Sequence, residues 1–214
     1  MSPLKFQITR EIIQAFPDIR VGGFLVANLD HAAARVAGLF DGHAVAGSLR
    51  EEGLDLTRLA DEPRIAAWRT AITAMGLKPS TFKSSPEQLV RRSLKGQPVM
   101  TPLAVVNAYC SVSARYVSPL GGYDLARLTA APIQLRFAQP AADEFKPLGG
   151  RAEDMPLGSR VAVYAAGSTV LCFGFNVRDS AETCLLPSTT DEPPTPGRVQ
   201  TIGQPGTSLV SVAS

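Results

Sequence analysis

A chain of 214 residues with 45% hydrophobic and 19% charged residues can bury a sizeable core, which excludes a disordered or fibrous class. Its net charge of +2 gives no global argument for a nucleic-acid partner, so such an argument rests on a local patch, and no DNA partner is expected. Cys110, Cys172 and Cys184 are odd in number and lack CxxC spacing, which excludes a disulfide framework or cysteine-rich zinc site and reads as reduced core thiols.

In chain order, Lys5, Arg10 and Glu11 interrupt any apolar run at the start, so neither a signal peptide nor a membrane span is expected, and the default compartment is the cytoplasm. A short amphipathic helix is expected over residues 8–16, with Ile12, Ile13 and Phe16 inward and Pro17 stopping it. Residues 19–27 read as a strand broken by Gly22-Gly23, which marks a bulge or a close backbone approach rather than a phosphate loop. Residues 30–60 carry weaker helical patterning and the only two histidines, His31 and His43. Asp61-Glu62-Pro63 starts a firmer helix, with Ile65, Trp68, Ile72 and Met75 as its core stripe and Gly76 at its end.

The stretch from Thr81 to Asp124 is the most sharply punctuated. Ser85-Pro86-Glu87-Gln88 reads as a helix start in which Ser85 caps and Gln88 closes a capping box, and Gly96 ends the helix. A second helix is expected from Thr101-Pro102, with Val105, Val106, Tyr109, Val112 and Tyr116 as its apolar face, followed by a turn at Gly121-Gly122. Further on, Ile133, Leu135 and Phe137 alternate with Gln134 and Arg136 as a half-buried strand. Residues 161–165 and 169–175 form a hairpin around Ala166-Gly167-Ser168. From Pro187 the composition turns to Pro, Thr, Ser and Gly, which reads as an extended tail over 187–214 with at most an edge strand near Ser208–Val212. Helices first and strands later argue for an α+β class, with residues 1–186 as one unit.

The runs FKSSPEQLVRRSLKG, VVNAYCSVSARYVSPLGGYDL, IQLRFA, DEFKPLG and VLCFGFNVRDS occur in this order over residues 8–185. Together they resemble the editing module of the bacterial phenylalanyl-tRNA synthetase beta subunit, its third and fourth subdomains. The likeness is closer still to free-standing proteins made of that module alone. The resemblance implies helices packed on a β-sandwich-like sheet pair and an amino-acid pocket beside the loop matching Gly121 to Asp124. It also brings Arg178 and Asp179, which follow Phe175-Asn176 on a loop after the hairpin, to the border of that pocket, with Glu144-Phe145 matching a glutamate-containing turn. Two departures stand out. Gly121 occupies the place of a histidine in the synthetase module, and nothing near residues 175–180 matches its tyrosine-recognising glutamate. Free-standing relatives, moreover, commonly carry tryptophans where this chain has Phe173-Gly174-Phe175. Hydrolysis of tyrosine attached to phenylalanine tRNA is therefore not carried over.

No HExxH, GxSxG or P-loop is present, so no metal or other cofactor is expected, and neither a serine-hydrolase triad nor ATP-dependent ligation is supported. What remains is a binding constellation. Asn107, Gly121, Gly122 and Asp124 are the candidate catalytic residues, with glycine N–H groups able to steady the oxyanion formed when water attacks an aminoacyl ester. Ser113, Tyr123, Phe175, Asn176 and Arg178 are candidates for holding the substrate. Alternatively the glycine pair only makes a turn and Asp124 caps a following helix over 125–128. Lys83, Arg91, Arg92, Lys95 and Arg115 form the cluster that can meet the phosphates of an aminoacyl-tRNA acceptor end, although a solvated helix face is the commoner meaning of such a cluster. The expected activity is a metal-independent deacylase of mischarged tRNA acting in trans. Its alternatives are a non-catalytic tRNA- or amino-acid-binding module and an aminoacyl-tRNA-dependent acyl transfer protein.

Overall fold

Apolar periodicity in this chain feeds two cores, one among helices and one against a sheet, and a single helix belongs to both. The computed structural model describes residues 6–26, 42–128, 132–187, 189 and 208–213. Among them are five helices, α1 (Arg10–Ala15), α2 (Gly42–Glu51), α3 (Pro63–Ala74), α4 (Ser85–Leu94) and α5 (Ala104–Tyr116). The strands are β1 (Phe6–Ile8), β2 (Val21–Val26), β3 (Leu120–Asp124), β4 (Ile133–Phe137), β5 (Ala162–Ala166), β6 (Thr169–Phe173), β7 (Arg178–Asp179) and β8 (Ser208–Ala213). They form a mixed five-stranded sheet of order β1-β4-β5-β6-β7 and a three-stranded sheet of order β2-β8-β3. The class is α+β with two sheets, as expected.

Helix α3 begins where expected, with the Glu62 carboxylate accepting the Ile65 N–H at 2.9 Å and Pro63 supplying no unsatisfied donor. Its Ile65 joins Val45, Leu49, Leu59, Val90 and Leu94 in the helical core. One turn on, Trp68, Ile72 and Met75 enter the core formed with β4, β5 and β6. Each such side chain taken fully out of water contributes about 1.5–3 kcal/mol. A buried carboxylate locks α3 to α4. Glu87, with no exposure, receives Arg69 through both oxygens at 2.8 and 2.9 Å and Arg91 at 3.1 Å.

Several expectations are corrected. Residues 6–8 are strand, so the first helix starts at Arg10, and while Ile12 is buried Ile13 is half exposed. Gly22-Gly23 introduces no bulge, because β2 runs in unbroken register against β8 from Val21↔Ala213 to Val26↔Ser208. Helix α4 has Ser84 before its first turn and no side-chain cap, since the Gln88 amide is drawn to the Lys83 and Val177 carbonyls instead. Helix α5 starts at Ala104 rather than at Thr101-Pro102. Its buried positions are the small Ala108, Ser111, Ser113 and Ala114, which permit close packing on α2 and α4, and Tyr116 is exposed.

Gly121-Gly122 is not a turn. Val117, at φ 49°, takes the left-handed conformation that ends α5 and reverses the chain, which leaves the glycine pair inside β3. The strand expected near Ser208–Val212 is present, but it is central rather than at an edge, because β2 and β3 flank it on both sides. His43 lies exposed on α2, whereas His31, residues 27–41 and tail residues 190–207 lie outside the described residues.

One buried ion pair ties β4 to the β5–β6 turn. Arg136, expected to face solvent from β4, is only 6% exposed. It grips the Asp143 carboxylate at 2.6 and 2.8 Å and the Gly167 carbonyl, in the β5–β6 turn, at 2.9 Å. Removing one partner strands a buried charge. Arg136→Leu is therefore expected to lower unfolding stability by about 3–5 kcal/mol, read from the urea midpoint at constant slope.

Candidate functional site

Where β6 turns into β7 the chain makes two consecutive left-handed residues, Gly174 at φ 64° and Phe175 at φ 63°. Glycine is required at the first, since a Cβ there would lie 2.9 Å from the Val177 side chain. A phenylalanine at positive φ is strained, and strain of this kind persists only when its surroundings overdetermine it. Here the Phe175 ring stands edge-on to Phe16 with centroids 4.9 Å apart, leans on Trp68 at 5.8 Å, and its N–H reaches the Ala162 carbonyl.

The same turn delivers Asn176 to the start of α4. The Ser85 N–H donates to the Asn176 carbonyl at 2.9 Å and to its side-chain Oδ1 at 3.2 Å, which fixes Nδ2 on the other side. Between this junction, β3, β5 and β6 lies a cavity of about 30 Å³, lined by Ser85, Gly121, Tyr123, Tyr164, Cys172, Asn176 and Asp179. That is room for one or two water-sized groups. Three buried polar atoms of this lining, Ser85 Oγ, Tyr164 Oη and Asn176 Nδ2, take no hydrogen bond from any described residue. Buried polar groups are nearly always paired, so three together on one small cavity point to a ligand or to water. A register slip between Tyr164↔Cys172 and Ala165↔Val170, with Leu171 as the extra residue, brings Tyr164 and Cys172 to the same wall.

Electrostatically the lining carries one carboxyl group. Asp179 keeps some exposure as a residue, but its carboxyl turns inward. Burial raises that carboxyl above the usual range, against smaller downward effects from the Cys172 thiol, the Arg178 charge and the Tyr123 hydroxyl. Burial likewise raises the Tyr164 hydroxyl and the Cys172 thiol, and pushes Cys110 up to about 12, so Cys110 is no ready nucleophile.

Adjoining this cavity, and sharing Phe175 and Pro119 with it, is an apolar cleft of about 550 Å³. It lies between the α1 exit at Phe16–Ile19, α3 and Val117–Pro119, over Trp68 and Phe175. Volume and lining are those of a small-molecule site.

The expected site residues divide sharply. Gly121, Tyr123, Phe175 and Asn176 line the cavity. Asn107 does not, because its side chain clasps Thr101 by accepting from the Thr101 N–H and hydroxyl and donating to the Thr101 carbonyl. Ser113 donates to the Ser118 carbonyl at 2.6 Å. Asp124 caps the turn over Leu125–Arg127 through Ala126 N–H and accepts from Thr189, as the capping alternative holds. Gly122 is packed under Leu185 and Tyr109, and Arg178 donates to the Leu148 carbonyl.

Sequence reasoning misses Ser85, Tyr164 and Cys172 as site residues. Ser85 reads as a helix cap, and nothing in an alternating strand marks Tyr164. Of the cationic cluster, Lys83 donates to the Ser80 carbonyl, Arg91 pairs with Glu87 and Arg115 with Glu52. Arg92 and Lys95 are exposed and in no ion pair among the described residues.

Gly174→Ala tests the turn. Its Cβ contact and positive φ are expected to cost about 1–3 kcal/mol in urea unfolding, with a change in Trp68 fluorescence as Phe175 is released.

No helix among the described residues is long and apolar enough to cross a membrane, and no group of three or more potential metal ligands occurs among them. No curated protein matches the chain. A family profile for the B3/4 domain matches residues 67–192, which takes in all but the first four residues of α3, then α4, α5 and the strands from β3 to β7, among them those that line the cavity. The chain belongs to the B3/4 domain family, whose domain is found in the phenylalanyl-tRNA synthetase beta subunit.

Proposed function

We propose that the protein is a trans-acting aminoacyl-tRNA deacylase that removes a wrongly attached amino acid by water attack. The observation that carries this reading is the small polar cavity, with three unpartnered buried polar atoms, which shares Phe175 and Pro119 with a 550 Å³ apolar cleft in a domain of this family. In the reaction a water oxygen bonds to the ester carbonyl carbon, the bond from that carbon to the ribose oxygen breaks, and the departing oxygen takes a proton. Asn176 Nδ2, which has no partner among the described residues, is the donor this reading assigns to the carbonyl oxygen as it gains charge. A neighbouring ribose hydroxyl can relay the proton, so a dedicated protein base is not required.

A binding module without turnover is the second reading. Asn107 and Asp124, two of the four residues that the sequence marks for catalysis, are already used inside the protein, which favours it.

The test is a panel of correctly and wrongly charged tRNAs. The expected result is faster-than-spontaneous loss of one charged species. Asn176→Ala should lower that kcat/KM by about a hundredfold or more, the usual cost of losing one oxyanion donor. Asn107→Ala should lower thermal stability with a smaller effect on rate. A panel in which every charged tRNA decays at its spontaneous rate removes the enzyme reading.

Binding of tRNA is expected to rest on Arg92 and Lys95, the exposed cations at the end of α4. Replacing either with Ala should weaken binding of all tRNAs alike and reduce the log–log salt slope by about one. Unchanged slopes in filter binding would move the tRNA surface elsewhere.

A further inference from the structure

The C-terminal ends of three helices are tied together at one corner of the helical core. Arg50, in the last turn of α2, donates to the Leu94 carbonyl at the end of α4 at 2.8 Å. Two residues beyond Arg50, Glu52 pairs with Arg115 in the last turn of α5. Tyr116, the last residue of α5, therefore shares this corner with Lys95, the exposed cation that follows Leu94. The Tyr116 residue is 60% exposed. One exposed aromatic needs no explanation by itself, but this one is held from both sides. The Arg115 guanidinium stands 5.6 Å from its ring centroid, and the Arg64 guanidinium donates to its carbonyl at 2.9 Å. Val117 comes next, buried and β-branched yet left-handed at φ 49°. That strain is held by a locked turn, in which the Ser118 N–H donates to the Ser113 carbonyl and the Ser113 hydroxyl to the Ser118 carbonyl. The ring is thus ordered before any partner arrives, which lowers the entropic cost of contact.

Its place is the rim of the candidate site. Arg64, Val117 and Ser118 line the apolar cleft, and Pro119 borders the polar cavity as well. Tyr116 stands between that rim and the end of α4, where Arg92 and Lys95 are exposed. Its charged neighbours are already balanced, Arg115 by Glu52 and Arg64 by Glu62. The ring, not net charge, is what this corner offers. A protein partner would want a contiguous apolar patch, whereas four charged side chains surround this ring. A nucleobase needs only a flat ring, because every base has a π-face. Unpaired RNA ends splay out such bases and stack them on tyrosine.

We infer that Tyr116 is the stacking platform for the base of an unpaired 3′-terminal RNA nucleotide, with the preceding phosphates running toward Lys95 and Arg92. This rests on the deacylase reading for one point, that the RNA end lies at the cavity. In that reading the ester is carried by the terminal ribose, so the base on the same ribose has to find a surface at the rim. Stacking itself is independent of turnover. The work divides accordingly. Arg92 and Lys95 hold the backbone through charge, which salt screens, and Tyr116 holds the end through its ring, which salt leaves alone.

Filter binding of the full chain to one uncharged tRNA, intact or lacking its 3′-terminal nucleotide, tests this directly. The intact form is expected to bind about fivefold to a hundredfold more tightly, the range for one base on one aromatic ring. Tyr116→Ala should erase that difference by weakening the intact form alone, with its log–log salt slope unchanged. Tyr116→Phe, which keeps the ring, should preserve it. Equal binding of the two forms by the unaltered protein, or no binding of either, overturns the inference. So does a loss in Tyr116→Ala that falls equally on both forms, or a loss in Tyr116→Phe as large as in Tyr116→Ala. The two readings fail separately. End-dependent binding that needs the Tyr116 ring, with every charged tRNA decaying at its spontaneous rate, keeps the platform and removes the deacylase. Hydrolysis of a charged tRNA with KM unchanged in Tyr116→Ala keeps the deacylase and removes the platform.

Discussion

The arrangement depends on a phenylalanine held where phenylalanine does not rest by choice. Phe175 at positive φ stores strain of about 1–3 kcal/mol. That strain is offset by packing drawn from two distant elements, Phe16 after α1 and Trp68 in α3. Because the ring is fixed, the next residue is fixed too. Asn176 then receives the first turn of α4, and the helix start, the hairpin end and the cavity become one construction. The ring is also the wall between a polar space and an apolar one. A single backbone anomaly thus sets position, polarity and volume at the site.

Around that turn the protein uses buried charge sparingly and in closed groups. Glu87 is enclosed by Arg69 and Arg91, and Asp143 by Arg136, each with several hydrogen bonds to the carboxylate. These pairs fix the register of helices and of the β5–β6 turn, where loss of either partner is more costly than the pair is stabilising. Asp179 differs in kind. Its neighbours are a thiol, a hydroxyl and one adjacent cation, and burial keeps its carboxyl above its ordinary range. Of these three inward-facing acids, it is the one in no ion pair among the described residues.

How much of this the sequence carried follows from what kind of signal each part emits. The α3 stripe was legible because four large apolar residues at helical spacing define a single helix face, and Ile65, Trp68, Ile72 and Met75 are all buried. Gly121-Gly122 misled as a turn because the real reversal is made by Val117, a β-branched residue that no turn rule selects. Arg136 misled because strand alternation predicts an outward face and is silent about a carboxylate seven residues on, across a bend, that draws the guanidinium inward. The site was half legible. Phe175 and Asn176 came from resemblance, whereas Tyr164 and Ser85 owe their place to a bulge and to a helix docking, which are tertiary events without a local pattern. Asn107 and Asp124 looked reactive because polar residues near glycines invite that reading, yet each serves the backbone beside it.

The central position of β8 carries a consequence for how the chain reaches this state. Val21 lies opposite Ala213, 192 residues later, and β3 stands on the other flank of the same strand. No local pairing of β2 with β3 replaces it. Their shared sheet is therefore closed by the contact most distant in sequence, which carries a high loop entropy and forms slowly. Until it forms, β2 and β3 each present an unpaired edge, and any strand of matching pattern, including β8 of another copy, meets the same open slot. The folding route of this protein thus makes its three-stranded sheet a kinetic bottleneck in which concentration competes with intramolecular closure.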